Sequence, residues 1–190
     1  MVFTLWYSVY MFLIDKSFYQ IKKTKQKGLG VFAKKEIKTK TIIGEYTGER
    51  VEIEKYDLEK DKDGLYLMFL DDKYAIYPDL SKDDVHLVNH SCDPNCWILN
   101  SGGKVYFFTL RDIEKGEELT ILYLLPPKDK TCNPCTHDCY CGSEKCTGSM
   151  HLGEEAYLLS NAFRVCSTMS ASFSPTKGIA SKVFKDNPKR

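Results

Sequence analysis

Hydrophobic residues along the chain fall into short apolar runs separated by glycine turns and charged stretches. Runs of strand length cover residues 65–70, 105–110 and 118–125. Shorter strands are predicted at 31–33, directly after a glycine turn, and at 41–46. Since few helical patterns interrupt these runs, the chain is predicted to be mostly β with few short helices.

One helix is predicted near the C-terminus, where Leu152, Ala156, Leu159 and Phe163 recur at helical spacing. The densely charged stretch 49–63 predicts an exposed, partly helical insert. The expected division is an apolar N-terminal segment (1–19), a main domain (20–125), a linker with a cysteine-rich segment (126–151), a helix (152–166) and a mobile basic tail (167–190).

The charge balance narrows the range of partners. The 190 residues include 27 basic and 26 acidic side chains, a formal net charge of +1, and 43% are hydrophobic. This composition suits one globular domain and argues against broad binding of polyanions, which requires a basic footprint. An acidic groove for a basic peptide stays open, because net charge does not describe how charge is distributed.

The apolar segment 2–14 reads V-F-T-L-W-Y-S-V-Y-M-F-L-I. A membrane-spanning helix needs about 20 residues, and the segment lacks the basic start and small-residue cleavage site of a signal peptide. We expect no membrane partner. The segment is expected to pack on the core as a strand or helix, or to precede the true start of the protein.

Eight cysteines are many for this length, and five lie within residues 132–146. Such clustering favours a metal site over disulfides, which require an oxidising compartment. Cys139, Cys141 and Cys146 form C-x-C-x4-C, three thiolates that suit tetrahedral zinc, but a closed structural site needs a fourth ligand.

A second group of potential ligands lies just upstream, where Cys132, Cys135 and His137 form C-x-x-C-x-H. These residues could complete the first site, hold a second metal, or include two free thiols. Cys96 and Cys166 are expected to be buried or free thiols.

Three strings occur in order along the chain: L-V-N-H-S-C-D-P-N-C at 87–96, G-E-E-L-T-I-L-Y at 116–123 and C-Y-C-G-S-E-K-C at 139–146. K-G-L-G-V-F-A at 27–33 and G-E-Y-T-G-E at 44–49 precede them. Together they resemble the SET-domain protein lysine methyltransferases with a cysteine-rich post-SET segment. The resemblance implies a SET fold, small β-sheets around a pseudoknot, with a zinc-bound post-SET loop.

The activity implied by this resemblance is methyl transfer from S-adenosylmethionine to a protein lysine, with histone tails as the default substrate and the nucleus as the location. In-line transfer needs a neutral amine, whereas a reference pKa of about 10.4 leaves about 0.4% of lysine neutral near pH 8. An apolar channel and the cofactor's positive charge would both lower that pKa. Tyrosine rings and hydroxyls suit such a channel.

By the same resemblance, Tyr123 is the catalytic tyrosine, Tyr46 lines the lysine channel and Tyr66 lies near cofactor and substrate. The residues implied to bind the cofactor are Lys27, Gly28, Leu29, Gly30, Tyr66, Asn89, His90 and Tyr123. The implied zinc ligands are Cys92, Cys139, Cys141 and Cys146. Taken alone, each signal has a plain structural reading, since most of the 12 tyrosines must simply pack and short glycine or Asn-His pairs often form turns.

Some positions depart from the family's pattern. Ile121 stands where many members carry phenylalanine or tyrosine, and its lack of a hydroxyl predicts room for more than one methyl group. His86 replaces the usual arginine before N-H-S-C, Leu122 replaces a frequent acidic residue, and the string at 76–78 replaces one that contains aspartate.

These departures keep a second hypothesis open, a catalytically weak SET module that binds peptides or acts as a scaffold. A methyltransferase for non-histone proteins is a further alternative. A zinc-dependent nucleic-acid-binding protein is disfavoured by the near-neutral charge and by the absence of a C2H2 pattern, so no sequence-specific nucleic-acid binding is expected. The sequence leaves the oligomeric state open.

Overall fold

The computed structural model describes residues 13–56, 66–130 and 132–167, the side chains of 161–167 excepted. The chain divides into two compact units. The first consists of Met1–Tyr123 and Cys135–Met150, and the second of Leu124–Pro134 and His151–Arg190.

The first unit is built from short strands. Within its described residues these are β1 (Tyr19–Lys23), β2 (Leu29–Ala33), β3 (Ile42–Tyr46), β4 (Glu49–Glu52), β5 (Met68–Phe69), β6 (Tyr74–Tyr77), β7 (Asn89–His90), β8 (Cys96–Ser101), β9 (Lys104–Thr109) and β10 (Thr120–Ile121). Single-turn 3-10 helices cover Ile53–Lys55 and Val85–Leu87. The prediction of a mostly β chain with few short helices is confirmed.

The strands form small sheets in which distant parts of the chain meet. The antiparallel sheets have the orders β1-β2, β3-β9-β8 and β4-β6-β5. In the fourth sheet β7 and β10 pair in parallel, with Asn89 opposite Thr120 and His90 opposite Ile121. This pairing joins the strings at 87–96 and 116–123, which lie far apart in sequence.

Alternation along β9 directs one face into the core. Val105, Phe107 and Thr109 are buried, whereas the residues between them are only partly covered. Val31 and Leu119 are also fully buried. Burying these side chains is the main favourable term that holds such small sheets together.

Two predicted strands are shorter in the structure. The apolar run 118–125 forms a strand only at Thr120–Ile121, and Glu118 makes an isolated bridge to Phe32. Side chains take two backbone donors of this run, since the N–H of Thr120 donates to Asn95 Oδ1 and that of Tyr123 to His90 Nδ1. The run 65–70 is described from Tyr66 and pairs only at Met68–Phe69. Asp71 then accepts the N–H groups of Lys73 and Tyr74, which turns the chain.

The other predicted segments are described only in part. Of the charged stretch 49–63, residues 49–56 form β4 and the first 3-10 helix, and the remainder lies outside the described residues. Of the N-terminal segment, the N–H groups of Leu13 and Ile14 both donate to Ile43 O, whereas residues 1–12 lie outside the description, as does the tail from 168.

The second unit contains helix α1 (Glu154–Ser167), against a predicted range of 152–166. Glu154 and Glu155 in its first turn oppose the positive end of the helix dipole. Leu158 and Leu159 are both exposed, so the apolar positions of this helix are not all covered. Among the described residues no helix has the length and hydropathy needed to cross a membrane.

Candidate functional site

The glycine turn lies between β1 and β2. The N–H of Thr24 donates to Gly28 O at 2.7 Å, and Gly28 has φ +71°, a conformation that favours glycine. Gly30 has a different constraint, since a Cβ there would lie 2.7 Å from Glu118 Oε1 and 2.8 Å from Asn89 Nδ2. The first glycine is needed for the turn and the second for close packing.

Asn89 lies on β7 beside this turn. Its Nδ2 donates to the carbonyl of Leu29 and to Glu118 Oε1, both at 2.9 Å. Lys27 Nζ reaches Glu118 Oε2 at 2.6 Å. The structure therefore brings Lys27, Leu29, Gly30 and Asn89 together, and Glu118 joins them.

Sequence reasoning missed Glu118. It treated the two acidic residues of G-E-E-L only as markers for the tyrosine that follows. Glu117 hydrogen-bonds Asn95 and pairs with Arg111 near the protein surface, whereas Glu118 turns towards the glycine turn. Adjacent residues of an extended segment point in opposite directions, so the string alone indicated that only one of the two could face the site.

The three tyrosines predicted to act together lie in one unit. Tyr46 is buried, and its hydroxyl donates to the backbone carbonyl of Tyr66. The hydroxyl of Tyr123 donates to Val88 O at 3.2 Å. Burial, and then the neighbouring Tyr66 and Glu118, raise the pKa of Tyr123. The Tyr123 hydroxyl is therefore protonated at neutral pH.

His90 is buried next to Tyr123. Its ring is edge-on to the Tyr123 ring at 5.4 Å between centroids, and Nδ1 accepts the Tyr123 backbone N–H at 3.0 Å. Burial, and then Lys27, lower the pKa of His90 to about 4. The imidazole is neutral at physiological pH, and both its ring nitrogens have partners, since Nε2 faces Cys92 Sγ.

Departures from the family pattern are also buried, among them His86 and Ile121. His86 packs edge-on against Tyr66 with ring centroids 5.8 Å apart, and burial lowers the pKa of His86. This histidine therefore supplies an aromatic contact instead of the positive charge of an arginine. Ile121 is 3% exposed and belongs to the hydrophobic core.

Cys92, Cys139, Cys141 and Cys146 are brought together, with all four sulfur atoms within 4.8 Å of one another. The Sγ atoms of Cys92 and Cys139 are 3.7 Å apart. Tetrahedral zinc with bonds of about 2.3 Å requires sulfurs about 3.8 Å apart. None of these four cysteines forms a disulfide. The four sulfurs therefore fit a closed structural zinc site.

The pKa values of the thiols in this four-cysteine cluster are shifted in different directions. Burial raises the pKa of the Cys92 and Cys139 thiols. Burial also acts on Cys141, but hydrogen bonds from the backbone of Cys92 and Ser143 outweigh it and lower the pKa to about 6. A divalent cation would stabilise all four as thiolates, since its charge favours the deprotonated form.

Four further potential metal ligands, Cys132, Cys135, His137 and His151, lie outside the four-cysteine cluster. In the first unit, Cys135 Sγ lies 3.8 Å from His137 Nδ1. In the second unit, Cys132 Sγ lies 3.4 Å from His151 Nε2. Neither pair belongs to the four-cysteine cluster. Cys96 is buried, and burial raises its pKa to about 12, as expected for an inert core thiol.

A cavity of about 350 Å³ opens beside the glycine turn. The residues around it include Thr24, Lys27, Phe32, Glu118 and Tyr140. Cys141 also lines it, so the cysteine-rich segment forms part of its wall. The volume is in the range of small-molecule sites.

Comparison with known proteins shows which family the chain resembles in sequence. The sequence model of the family described as "SET domain" matches residues 28–124 of the chain. The chain is 34% identical over 137 residues to the rice (Oryza sativa subsp. japonica) protein "Histone-lysine N-methyltransferase TRX1", covering 66% of this chain and 13% of that protein. It is 33% identical over 141 residues to the mouse (Mus musculus) "Histone-lysine N-methyltransferase, H3 lysine-36 specific", covering 68% and 5%.

A third relative, the "Variant-silencing SET domain-containing protein" of Plasmodium falciparum (isolate 3D7), is 37% identical over 118 residues, which cover 55% of this chain and 5% of that protein. The chain thus spans only a small part of the length of these relatives. The family match includes the glycine turn, the Asn89-His90 strand and Tyr123, and the cysteine-rich segment follows it. The chain belongs to the SET-domain family.

Proposed function

We propose that the protein is an S-adenosylmethionine-dependent protein lysine N-methyltransferase, with histone tails as its first candidate substrate. The observation that carries this proposal is the set of three tyrosines in one unit, two of which are joined by a hydrogen bond. Tyr46 is bonded to the backbone of Tyr66, and Tyr123 to the backbone of Val88. Their positions are thereby fixed before any substrate arrives, which is how a site positions reacting groups.

S-adenosylmethionine would supply an electrophilic methyl group on a positively charged sulfur. The chain's own residues would bind its amino-acid end through Lys27, Leu29, Gly30 and Asn89. Gly28 would shape the turn that brings the backbone close. A cavity of about 350 Å³ at this turn supports the assignment.

The tyrosines would receive the lysine. Their rings would form an apolar wall that disfavours the ammonium form, and their hydroxyls would orient the nitrogen without adding negative charge. The raised pKa of Tyr123 supports a neutral phenol that positions the amine. Tyr123 is therefore proposed as the catalytic residue, with Tyr46 and Tyr66 lining the channel.

Zinc would hold the post-SET segment in place through Cys92, Cys139, Cys141 and Cys146. The spacing of the four sulfurs supports this assignment. Because Cys92 lies two residues after His90, the metal would fix the cysteine-rich segment beside the cofactor residues. A nuclear location on chromatin is proposed from the printed names of the relatives.

The test is transfer of radiolabelled methyl from S-adenosylmethionine to nucleosomes, free histones and a hypomethylated cell extract. The zinc-loaded wild-type protein would be compared with Tyr123→Phe, which removes only the hydroxyl. Tyr106→Phe on β9 is the matched control, since this half-buried tyrosine is not one of the three tyrosines of the proposed site. We expect label on a histone with the wild type and the control, and at least a tenfold lower rate with Tyr123→Phe.

Label on extract proteins alone would move the substrate outside chromatin. If a folded, zinc-loaded protein binds the cofactor and labels nothing, the methyltransferase proposal is wrong. The peptide-binding or scaffold module would then replace it.

A further inference from the structure

We propose that Glu118 is a positioning residue for the amino-acid end of the cofactor, acting through Asn89 and Lys27. This inference rests on the proposed function, since it assumes that S-adenosylmethionine binds at the glycine turn. It assigns a role to a residue outside the predicted site.

The first support is the orientation of Asn89. Its amide hydrogens are donated to Leu29 O and Glu118 Oε1, each at 2.9 Å. A carboxylate only accepts, so Glu118 fixes which end of the amide is the donor. The carbonyl oxygen Oδ1 is then the end of Asn89 that can receive a ligand's ammonium group.

The second support is the charge pair with Lys27. Its Nζ lies 2.6 Å from Glu118 Oε2, and the two side chains are only 17% and 18% exposed. Such a partly desolvated, charge-assisted contact is stronger than an exposed ion pair. It holds one positive and one negative group side by side, which complements the carboxylate and ammonium of a zwitterionic amino acid.

The third support is Gly30. A Cβ at this position would lie 2.7 Å from Glu118 Oε1, 2.8 Å from Asn89 Nδ2 and 3.0 Å from Thr24 Cγ2. Any side chain would therefore separate the carboxylate from the amide. The missing side chain allows the contact between Glu118 and Asn89 to form.

Location provides the fourth support. Lys27 and Glu118 both line the cavity of about 350 Å³, together with Thr24, Phe32 and Tyr140. The ion pair is thus at the wall of a space large enough for a small molecule. Glu118 also bridges to Phe32 through the backbone, so a purely structural role is the competing explanation that an experiment must separate.

Two probes separate these explanations. S-adenosylhomocysteine carries the amino-acid end, whereas 5′-methylthioadenosine has the same nucleoside and lacks that end. Dissociation constants for both would be measured by calorimetry on the zinc-loaded full chain. The proteins compared are the wild type, Glu118→Gln and the control Glu117→Gln, whose carboxylate pairs with Arg111 and Asn95.

We expect Glu118→Gln to weaken S-adenosylhomocysteine about tenfold, since the glutamine amide would present a donor to one of its two donor partners. Binding of 5′-methylthioadenosine should change less than twofold, and Glu117→Gln should affect neither ligand selectively. In an Asn89→Ala background, Glu118→Gln should have a much smaller effect, because the two residues act as a unit.

Equal weakening of both probes by Glu118→Gln would show a structural role and overturn the inference, as would unchanged binding of S-adenosylhomocysteine. If Glu118→Gln fails to fold, Glu118→Asp tests the same contacts, since it keeps the charge and shortens the side chain that reaches Asn89 and Lys27, and a loss selective for S-adenosylhomocysteine is again expected. A folded wild type that binds neither S-adenosylhomocysteine nor S-adenosylmethionine would instead refute the proposed function.

Discussion

The imidazole Nε2 of His90 lies 3.4 Å from the thiol sulfur of Cys92. On the other side of the ring, Nδ1 accepts the backbone N–H of Tyr123. Because that N–H can only donate, the single proton of the neutral ring is on Nε2 and points at the sulfur. One buried side chain therefore connects the proposed catalytic tyrosine with the proposed zinc site.

Replacing His90 should affect both ends of this connection. His90→Ala removes the acceptor of a partly buried N–H, which costs about 1–3 kcal/mol of stability. It also removes the hydrogen bond to a metal ligand, and loss of such a partner typically lowers metal affinity about 10- to 100-fold. Zinc release to a chromogenic chelator would measure the affinity.

The matched control is His86→Ala. His86 is buried to a similar degree, but its ring packs on Tyr66 instead of a cysteine. We expect it to alter stability and leave zinc affinity unchanged. Equal zinc affinity in wild type and His90→Ala would show that the contact with Cys92 does not support the metal.

Zinc loading should depend on the four-cysteine cluster. Cys146→Ser is expected to lose the bound zinc and to lower the melting temperature and the methyl-transfer rate together. Cys96→Ser is the control, because Cys96 is buried outside the cluster, and it should retain zinc. Native mass spectrometry counts the ions directly. Full zinc retention by Cys146→Ser would contradict the ligand assignment.

Ile121 should permit more than one methyl transfer to the same lysine. Its aliphatic side chain has no hydroxyl to hold a water or the amine, and Ile121→Tyr is expected to shift the product towards monomethyllysine. The enlarged side chain enters a packed core, so about 1–3 kcal/mol of stability should also be lost.

Ile121→Phe controls for size, since it adds a ring without the hydroxyl. Mass spectrometry of the product peptide distinguishes the methylation states. A strictly monomethylated product from the wild-type protein would refute the hypothesis.

Asp84 should make stability depend on pH in the acidic range. Burial raises the pKa of this carboxyl from 3.8 to about 6, despite opposing effects of the Val85 backbone and Lys82. The folded state then binds the proton more tightly, so this contribution is fully present below pH 3.8 and is lost as pH rises through 6. The loss amounts to about 3 kcal/mol.

Asp84→Asn should remove this slope, which denaturant titrations at pH 4, 5, 6 and 7 would measure against the wild type. Asp83→Asn, at an exposed neighbouring position, should leave it intact. The same slope in wild type and Asp84→Asn would show that another group causes the dependence.

Local sequence patterns predicted the strands whose apolar residues are continuous or alternate, as in β3 and β9. β1 was missed, because Tyr19–Lys23 carries two terminal lysines and only one face contacts the core. The length of the strand at 120–121 was overestimated because the side chains of Asn95 and His90 take the backbone donors of Thr120 and Tyr123. Neither side chain is local to that strand, so no periodicity contains the information.

The same distinction applies to the site. Short strings predicted Gly28, Asn89 and Tyr123 as site residues, but they could not show which atoms meet across the fold. The contact from Asn89 to Glu118 spans 29 positions and that from Lys27 to Glu118 spans 91. Whether residues so far apart in sequence meet in space is decided by how β2, β7 and β10 pack, which a linear pattern does not encode.

Cys141 both lines the cavity and contributes a sulfur to the four-cysteine cluster. If the cluster holds zinc as proposed, a cell that synthesises this chain during zinc starvation would produce a protein in which the cysteine-rich segment is not held at the cavity. A larger supply of methyl donor would not restore its capacity. The methylation rate in that cell would then depend on the zinc supply at the time of synthesis. Restoring the rate would require delivery of zinc to protein molecules that already exist.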